Sequence, residues 1–403
     1  MSIRELLKVH GKPKKEVYFD LENNGFVPDE VVEAMLPYFN TIGYGNPAIT
    51  HKPGWEAYEV IYSTKNLIAS TIGASSPDEI IFTNSGTEAN NLAIMGFALS
   101  HKKDKFLTSI IEHGSVLFVM NYLEKAMGIN VKYVPVDEEG FIDPEVFGAY
   151  MDKDVKFVSI QLVNHEIGTI QNIRELVDIA KDKNPDVVFH TDAVDAYGRM
   201  RIDVKKLGVD MLTLSSHKIH GPRGIGVLYV REGINIVPII RGQISSEKYW
   251  PSVENIPIIA GFKKAVELAF NSFDSNVSYV RSLRDKLMNG IFENVDYTIL
   301  NGPKGDRRVI DNVNISFLYA EGEAITVELS LRGIYASSGS ACASRYLQPS
   351  HVLMAIGRKH EEAHGSILFK VCRYHKIEDI DYALEQIPKA IKRLRKISSW
   401  KPH

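Results

Sequence analysis

The run Val209-Asp210-Met211-Leu212-Thr213-Leu214-Ser215-Ser216-His217-Lys218-Ile219-His220-Gly221-Pro222 puts a lysine at the end of an apolar, strand-like segment. A second apolar run, Gly224-Ile225-Gly226-Val227-Leu228-Tyr229-Val230, follows at once. The pattern predicts two buried strands with the lysine between them. Burial between two such strands disfavours the charged ammonium and would leave Lys218 a free amine. A free amine is the nucleophile an imine-forming lysine has to be. The plain alternative is a solvated lysine at a strand end, so the weight falls on what else the chain carries.

Upstream, strand-like and helical stretches alternate. Strands are expected at Val17–Asp20, Glu79–Thr83, Lys105–Ser109, Val131–Val136, Val155–Leu162, Val187–Thr191 and Met211–Leu214. Helices are expected from Asp29 to about Phe39, Trp55 to Gly73, after Thr87 to Leu99, and Ile173 to Lys183. This rhythm is that of an α/β protein with a largely parallel sheet covered by helices on both faces. Beyond Pro257 the pattern changes to long helices, Ile258–Phe270 and Val277–Phe292. Strands near Val313–Phe317 and Ile334–Ala336 and a closing helix over Ile380–Leu394 complete it. The chain therefore divides into a large domain over 17–260 and a smaller α+β domain over 261–403, with the polar, basic arm 1–16 packed near the latter. The change of character falls within 258–275.

Four further signals share the chain with Lys218. Asn84-Ser85-Gly86-Thr87-Glu88 joins a strand to a helix, where free N–H groups and hydroxyls can cradle a phosphate; the alternative is simple capping. His113 follows the strand-like Leu107–Ile111 and could stack on an aromatic cofactor or move protons, though a lone histidine is more often a turn residue. Asp192, in His190-Thr191-Asp192-Ala193, ends a strand at the edge where α/β proteins bind ligands. A carboxylate there can hold a pyridine nitrogen protonated; capping the next helix is the other reading. Finally, Ser337-Ser338-Gly339-Ser340-Ala341-Cys342-Ala343-Ser344 is a small, polar run with a cysteine at its tip, suited to a thiolate nucleophile. Cys372 sits in a strand-like run and reads as packing.

Composition excludes other classes. With 44% hydrophobic and 24% charged residues in 403, the chain is an ordinary globular one. A net charge of -3 argues against direct nucleic-acid or membrane binding. Two cysteines give no disulfide framework and suit a reducing cytoplasm. The opening Met1–Lys8 lacks the apolar core of a signal peptide. No metal-ligand cluster stands out, and no metal is expected.

Taken with Tyr44-Gly45-Asn46-Pro47, Glu166-Ile167-Gly168-Thr169-Ile170-Gln171 and Leu347-Gln348-Pro349-Ser350-His351, these motifs resemble the cysteine desulfurases. These are class V members of the fold-type I pyridoxal 5'-phosphate (PLP) enzymes, and the resemblance runs over about 17–395. It implies a seven-stranded, mainly parallel sheet between helices, a smaller α+β domain, and a homodimer with the site near the subunit interface. It implies that Lys218 joins the cofactor aldehyde and moves protons, that Asp192 pairs with the ring nitrogen, and that His113 stacks on the ring. Gly86, Thr87, Ser215 and His217 would hold the phosphate. Cys342 would take sulfur from L-cysteine as a persulfide, release alanine, and pass the sulfur to an iron–sulfur scaffold or a tRNA-thiolation protein.

The sequence departs from the family on the substrate side. Leu368 stands where the family carries the arginine that clamps the substrate carboxylate. Losing such a contact costs on the order of 2–3 kcal/mol, about 30- to 150-fold in affinity. Lys370, Arg345, Arg358 and Arg373 are the candidate replacements. His165 and Asp195 replace Asn and Gln beside the cofactor's ring oxygen, and an Asp–His pair there would change the proton inventory. Leu21-Glu22-Asn23-Asn24-Gly25 replaces a loop of small residues, and Trp250-Pro251-Ser252-Val253 replaces an Arg-Ser-Gly-Thr segment. Two alternatives to L-cysteine desulfuration follow. One is the same chemistry on another thiol or seleno amine, a D-amino acid or a substrate lacking the carboxylate. The other is a non-catalytic sulfur or cluster scaffold.

Overall fold

A computed structural model describes residues 13–101, 104–242, 249–251, 253–338 and 349–398. Cys342, Arg345 and Ser252, and residues 1–12 of the expected arm, lie outside the described residues. The first strand, β1 (Val17–Tyr18), is short and precedes the helices Asp29–Met35 and Pro37–Asn40. The expected single helix is split there because Pro37 starts a new one and its ring cannot continue the ladder. The helix Lys52–Ile72 ends on Gly73, whose φ of 70° is the left-handed cap that glycine accepts without strain.

Seven strands then form the main sheet: β2 (Ile80–Thr83), β3 (Lys105–Ser109), β4 (Asn130–Val134), β5 (Val155–Ser159), β6 (Val188–Asp192), β7 (Met211–Ser215) and β8 (Gly226–Val230). Their spatial order is β2-β8-β7-β6-β5-β3-β4. β8 runs antiparallel to both β2 and β7, and the remaining pairs are parallel. So β2, β6 and β7 share one direction, and their carboxyl ends lie along one edge.

Each face of this sheet is closed by helices. On one face the helices Lys52–Ile72, Ile173–Lys183 and Ile256–Phe270 bury Ile68, Leu176, Phe262 and Val266 against Phe189 and Leu212. On the other, Gly86–Ala98 and Gly114–Met127 bury Leu92, Phe97 and Met120 against Phe106 and Phe157. The rings of Phe97, Phe106 and Phe157 lie 5.1–5.9 Å apart, and each such burial contributes about 2–3 kcal/mol. Because both faces are covered, β2, β6, β7 and β8 are buried at every position, without the alternation of a half-exposed sheet.

After the helix Phe273–Asn294 come β9 (Thr298–Leu300), β10 (Asn312–Phe317), β11 (Ile334–Tyr335), β12 (Ser337–Ser338) and β13 (Ser366–Lys370). The antiparallel order is β12-β13-β10-β9, while β11 pairs with β1. A separate apolar cluster joins Leu283, Leu287, Val313, Phe369 and Ile387 with Val17 of β1 and Phe19 just after it. That return of the amino-terminal segment matters, because the loop after Phe19 then lies along the end of β13: the Lys370 N–H donates to the Phe19 carbonyl at 2.9 Å.

Candidate active site

Several chain turns at the carboxyl edge of the sheet, with the turn after β1, build one cavity of about 260 Å³. The first follows β2. Ser85 caps the helix Gly86–Ala98 by accepting from the Glu88 N–H at 3.1 Å, leaving the first-turn N–H groups of Gly86 and Thr87 directed outward. This turn lies so close to β8 that a Cβ on Gly226 would come within 2.4 Å of the Ser85 carbonyl carbon. The glycine is what lets the cradle sit there. Ser215 and His217 face the same cavity, with Ser215 Oγ 2.7 Å from His217 Nδ1. Burial lowers the pKa of His217 to about 4, so its ring is a neutral hydrogen-bonding group.

Asp192 ends β6 and is buried. Its Oδ2 accepts from Asn90 Nδ2 at 2.7 Å and its Oδ1 from the Val194 N–H at 3.0 Å. Burial raises its pKa, opposed chiefly by His113. Asn90 also donates to Ser115 Oγ at 2.8 Å, and that hydroxyl lies 2.7 Å from His113 Nδ1. The Ser115 N–H donates to the same nitrogen at 3.1 Å, so Nδ1 accepts and Nε2 is the ring nitrogen that carries a proton. The His165 ring stands perpendicular to His113 at 5.1 Å. Its Nδ1 is buried and finds no protein partner, and burial holds its pKa well below the usual histidine range.

Lys218 lies in a 3-10 turn, Ser216–Ile219, after β7. The turn closes at His220 with φ 66°, held by a 3.1 Å contact from its Nδ1 to the Phe26 carbonyl. Lys218 is buried as expected, but apolar neighbours alone do not surround it. Its Nζ donates to Glu22 Oε1 at 2.6 Å, to the Glu22 carbonyl at 2.8 Å and to Asp195 Oδ1 at 3.3 Å. Asp195 also differs from expectation. Its partners are lysines, Lys218 and Lys370, and not His165. Burial by itself would raise the Asp195 pKa; the two ammonium groups outweigh it and hold the carboxyl well below its usual range.

The cavity lining therefore unites Gly86, Thr87, His113, His165, Asp192, Asp195, Ser215, His217 and Lys218. Sequence reasoning gave no role to Asn90 and met Glu22 only as part of an altered loop; Lys370, one of the four candidate replacements for the missing arginine, is the one among the described residues whose partners line this cavity. Lys370 is 0% exposed at the end of β13. A lysine in the otherwise apolar run Phe369-Lys370-Val371 was the available signal, since a lysine is almost never fully buried unpaired. Leu368 is 2% exposed and supplies no charge.

The residues fit a phosphorylated pyridine cofactor. A phosphate cradle, an imidazole, a buried carboxylate and a lysine surround one cavity, and His165, whose Nδ1 is orphaned, is part of its lining. The family model described as aminotransferase class V matches residues 17–383. The chain belongs to the class V aminotransferases. Within the family it is 43% identical over 390 residues to a cysteine desulfurase IscS of Dictyoglomus turgidum, covering 96% of this chain and 98% of that one. It is also 43% identical over 383 residues to a cysteine desulfurase IscS 1 of Archaeoglobus fulgidus, covering 94% and 98%. A solved NifS-like protein superposes with a TM-score of 0.87 at 33% identity, over 94% of this chain and all of that one. This class V enzyme thus sits in the cysteine desulfurase branch, whose cofactor is PLP.

Two buried glutamates frame the other side of the enzyme's site. Glu112 lies beside His113, and its Oε1 and Oε2 accept from the Gln161 N–H at 3.1 and 3.0 Å. Glu166 Oε2 accepts from Ser350 Oγ at 2.5 Å, while Oε1 has no partner. His351 Nε2 lies 3.0 Å from the Glu112 carbonyl. So the chain beyond the Cys342 segment is tied down beside His113. Burial raises both carboxyls to about 8. Their native pKa exceeds the unfolded value, so the folded state binds more protons between roughly pH 5 and pH 8, and stability falls as pH rises through that window. Glu166→Gln is expected to flatten this decline. Chemical denaturation at pH 6 and pH 9 should show the variant gaining on wild type at the higher pH, with Glu112 keeping a residual slope. Parallel profiles would show that Glu166 is ionised in the folded protein.

Proposed function

We infer that the protein is a PLP-dependent cysteine desulfurase that moves sulfur from L-cysteine to Cys342 and releases alanine. One observation carries this reading: Lys218, Asp192 and the Gly86–Thr87 cradle line a single cavity in a chain 43% identical to desulfurases along its length. PLP, when bound, supplies an aldehyde carbon and an electron sink for the substrate's Cα. Gly86, Thr87, Ser215 and His217 would hold its phosphate, and His113 and Asp192 would position its ring from a face and from the nitrogen edge. His165 is the neighbour left to face the ring oxygen, since Asp195 is engaged by lysines.

Lys218 gives up and takes back protons at its Nζ, within reach of the carboxylates that hold it. Cys342 as thiolate attacks the substrate sulfur. A bond forms between that sulfur and Cys342 Sγ as the bond from sulfur to Cβ breaks, and the carbon fragment takes up a proton and leaves as alanine. Sulfur is oxidised and Cβ reduced, so no outside electron donor is needed. The persulfide then passes to a sulfur-accepting protein, such as an iron–sulfur scaffold or a tRNA-thiolation enzyme.

A homodimer is part of the reading. Leu36, Phe39, Trp55, Tyr58 and Tyr62, on consecutive helices and the junction before Pro37, are 49–61% exposed, an apolar surface of the kind that pairs with a second copy. No helix among the described residues is long and apolar enough to cross a membrane, and we place the protein in the cytoplasm. The large and small domains, at 17–260 and 261–403, remain our division of the chain.

The test is to incubate the PLP-loaded protein with L-cysteine and quantify alanine and protein-bound persulfide together. Equal amounts in the first turnover are expected. Cys342→Ala should lose the persulfide and nearly all alanine formation, by roughly a hundredfold or more. Undiminished alanine release from that variant would remove Cys342 from the reaction.

A further inference from the structure

Glu22 lies across two ammonium groups. Its Oε1 takes Lys218 Nζ at 2.6 Å, and its Oε2 is ion-paired with Lys370 Nζ. An amino-acid substrate has the same need. It brings a nitrogen that takes over the place of Lys218 and, one carbon away, a carboxylate that requires a buried cation. We propose that Lys370 is the cation that receives the substrate carboxylate, and that Glu22 holds this position until substrate displaces it. The inference rests on the substrate being an amino acid, as read above.

Among the described residues, the other candidate cations are engaged elsewhere in whole or in part. Arg199 Nε is paired with Asp311, and although its Nη1 is buried without a partner, Arg199 does not line this cavity and neither does Asp311. Arg358 donates to Asn301 Oδ1 at 2.8 Å and to the Leu300 carbonyl at 3.0 Å. Arg373 lies over the Tyr374 ring at 4.7 Å and reaches the Ile219 carbonyl. Lys370 differs because both of its carboxylate partners, Glu22 and Asp195, line the cavity. Burial alone would discharge it, but Asp195 and Glu22 more than compensate and keep it an ammonium ion. Leu368 and Lys370 are two apart on β13, hence on one face of the strand, so the cation is displaced along the strand rather than lost.

Of the two carboxylates, Glu22 is the one placed to leave. Asp195 has a 7% exposed side chain and is held by both lysines. Glu22 has a 14% exposed side chain and lies in the turn after β1, next to the exposed Asn23. Exchange keeps the number of anions around Lys370 constant, and the departing Glu22 regains water. A charge-neutral exchange of this kind avoids the desolvation penalty of adding a third buried carboxylate.

The experiment titrates the PLP-loaded protein with L-alanine and with L-alaninamide, reading binding from the cofactor's visible absorbance. Wild type should prefer L-alanine. Lys370→Met should weaken L-alanine by about 10- to 100-fold with little effect on the amide, and Lys370→Arg should restore most of the loss. Glu22→Gln, which removes the competitor's charge, should tighten L-alanine several-fold. Equal weakening of both ligands in Lys370→Met, or weaker L-alanine binding in Glu22→Gln, overturns the proposal. So does a wild-type preference for the amide. If Lys370→Met does not fold, Glu22→Gln and the wild-type ligand pair still decide. Persulfide formation is not read in this assay. Carboxylate-dependent binding without persulfide from L-cysteine would sink the desulfurase reading and leave this one standing.

Discussion

Lys218→Ala is expected to lower L-cysteine turnover by roughly 1,000-fold or more, while its effect on stability is set by a different set of contacts. The chemical loss follows from removing both the cofactor's attachment point and the proton carrier at one atom. The stability effect comes from Glu22 and Asp195, which share Lys218 with Lys370. Without Lys218, two buried carboxylates face a single ammonium group. Breaking a buried pair by deleting one partner costs about 3–5 kcal/mol. Asp195, now held down by Lys218 and Lys370 together, becomes easier to protonate. The apparent unfolding midpoint of the variant should therefore fall more at pH 8 than at pH 5. Adding Glu22→Gln to Lys218→Ala balances the remaining charges and should recover most of the midpoint but none of the turnover. Turnover that recovers along with stability would mean that Lys218 is structural and not chemical.

How far the sequence disclosed this site depended on how local each signal was. The cradle after β2, Asp192 at the end of β6 and Lys218 after β7 are each carried by a few consecutive residues at a strand end. An alternating α/β pattern already brings such ends together. The charge cluster was not local. Glu22, Asp195 and Lys370 come from three distant parts of the chain and meet because Phe19 is built into the small unit's core and hydrogen-bonds to the end of β13. Read singly, a loop glutamate, an aspartate in place of glutamine and a lysine in a strand look like unrelated departures. In the fold they are one network. The expected Asp–His pair failed for the same reason, since Lys370 could not be placed before its strand was. The antiparallel β8 was likewise hidden within a largely parallel expectation, although the short turn between β7 and β8 is long enough only for a reversal.

Asp192→Asn is expected to reduce turnover on the order of 100- to 1,000-fold with L-cysteine affinity nearly unchanged, and to leave the fold intact. The two oxygens of Asp192 accept from Asn90 Nδ2 and the Val194 N–H, so an amide in its place would set one donor against another. Asn90 has a remedy. Its own Oδ1 is buried without a partner, and turning its amide over presents that oxygen to the new N–H group, at the expense of the bond from its Nδ2 to Ser115 Oγ. His113 keeps the Ser115 N–H on its Nδ1 throughout. Packing and the contact to Asn90 thus survive the substitution with one neutral hydrogen bond exchanged, and what disappears from position 192 is a negative charge fixed in a buried site. An electrostatic partner of that kind accounts for about 3–4 kcal/mol of transition-state stabilisation, which the conversion of free energy to rate turns into the stated loss. The check is to compare kcat and KM with the fraction of protein that retains PLP after gel filtration. A fall in kcat at full retention supports the charge role. A variant that sheds the cofactor would make Asp192 an anchor, and one with kcat within threefold of wild type would separate it from the chemistry altogether.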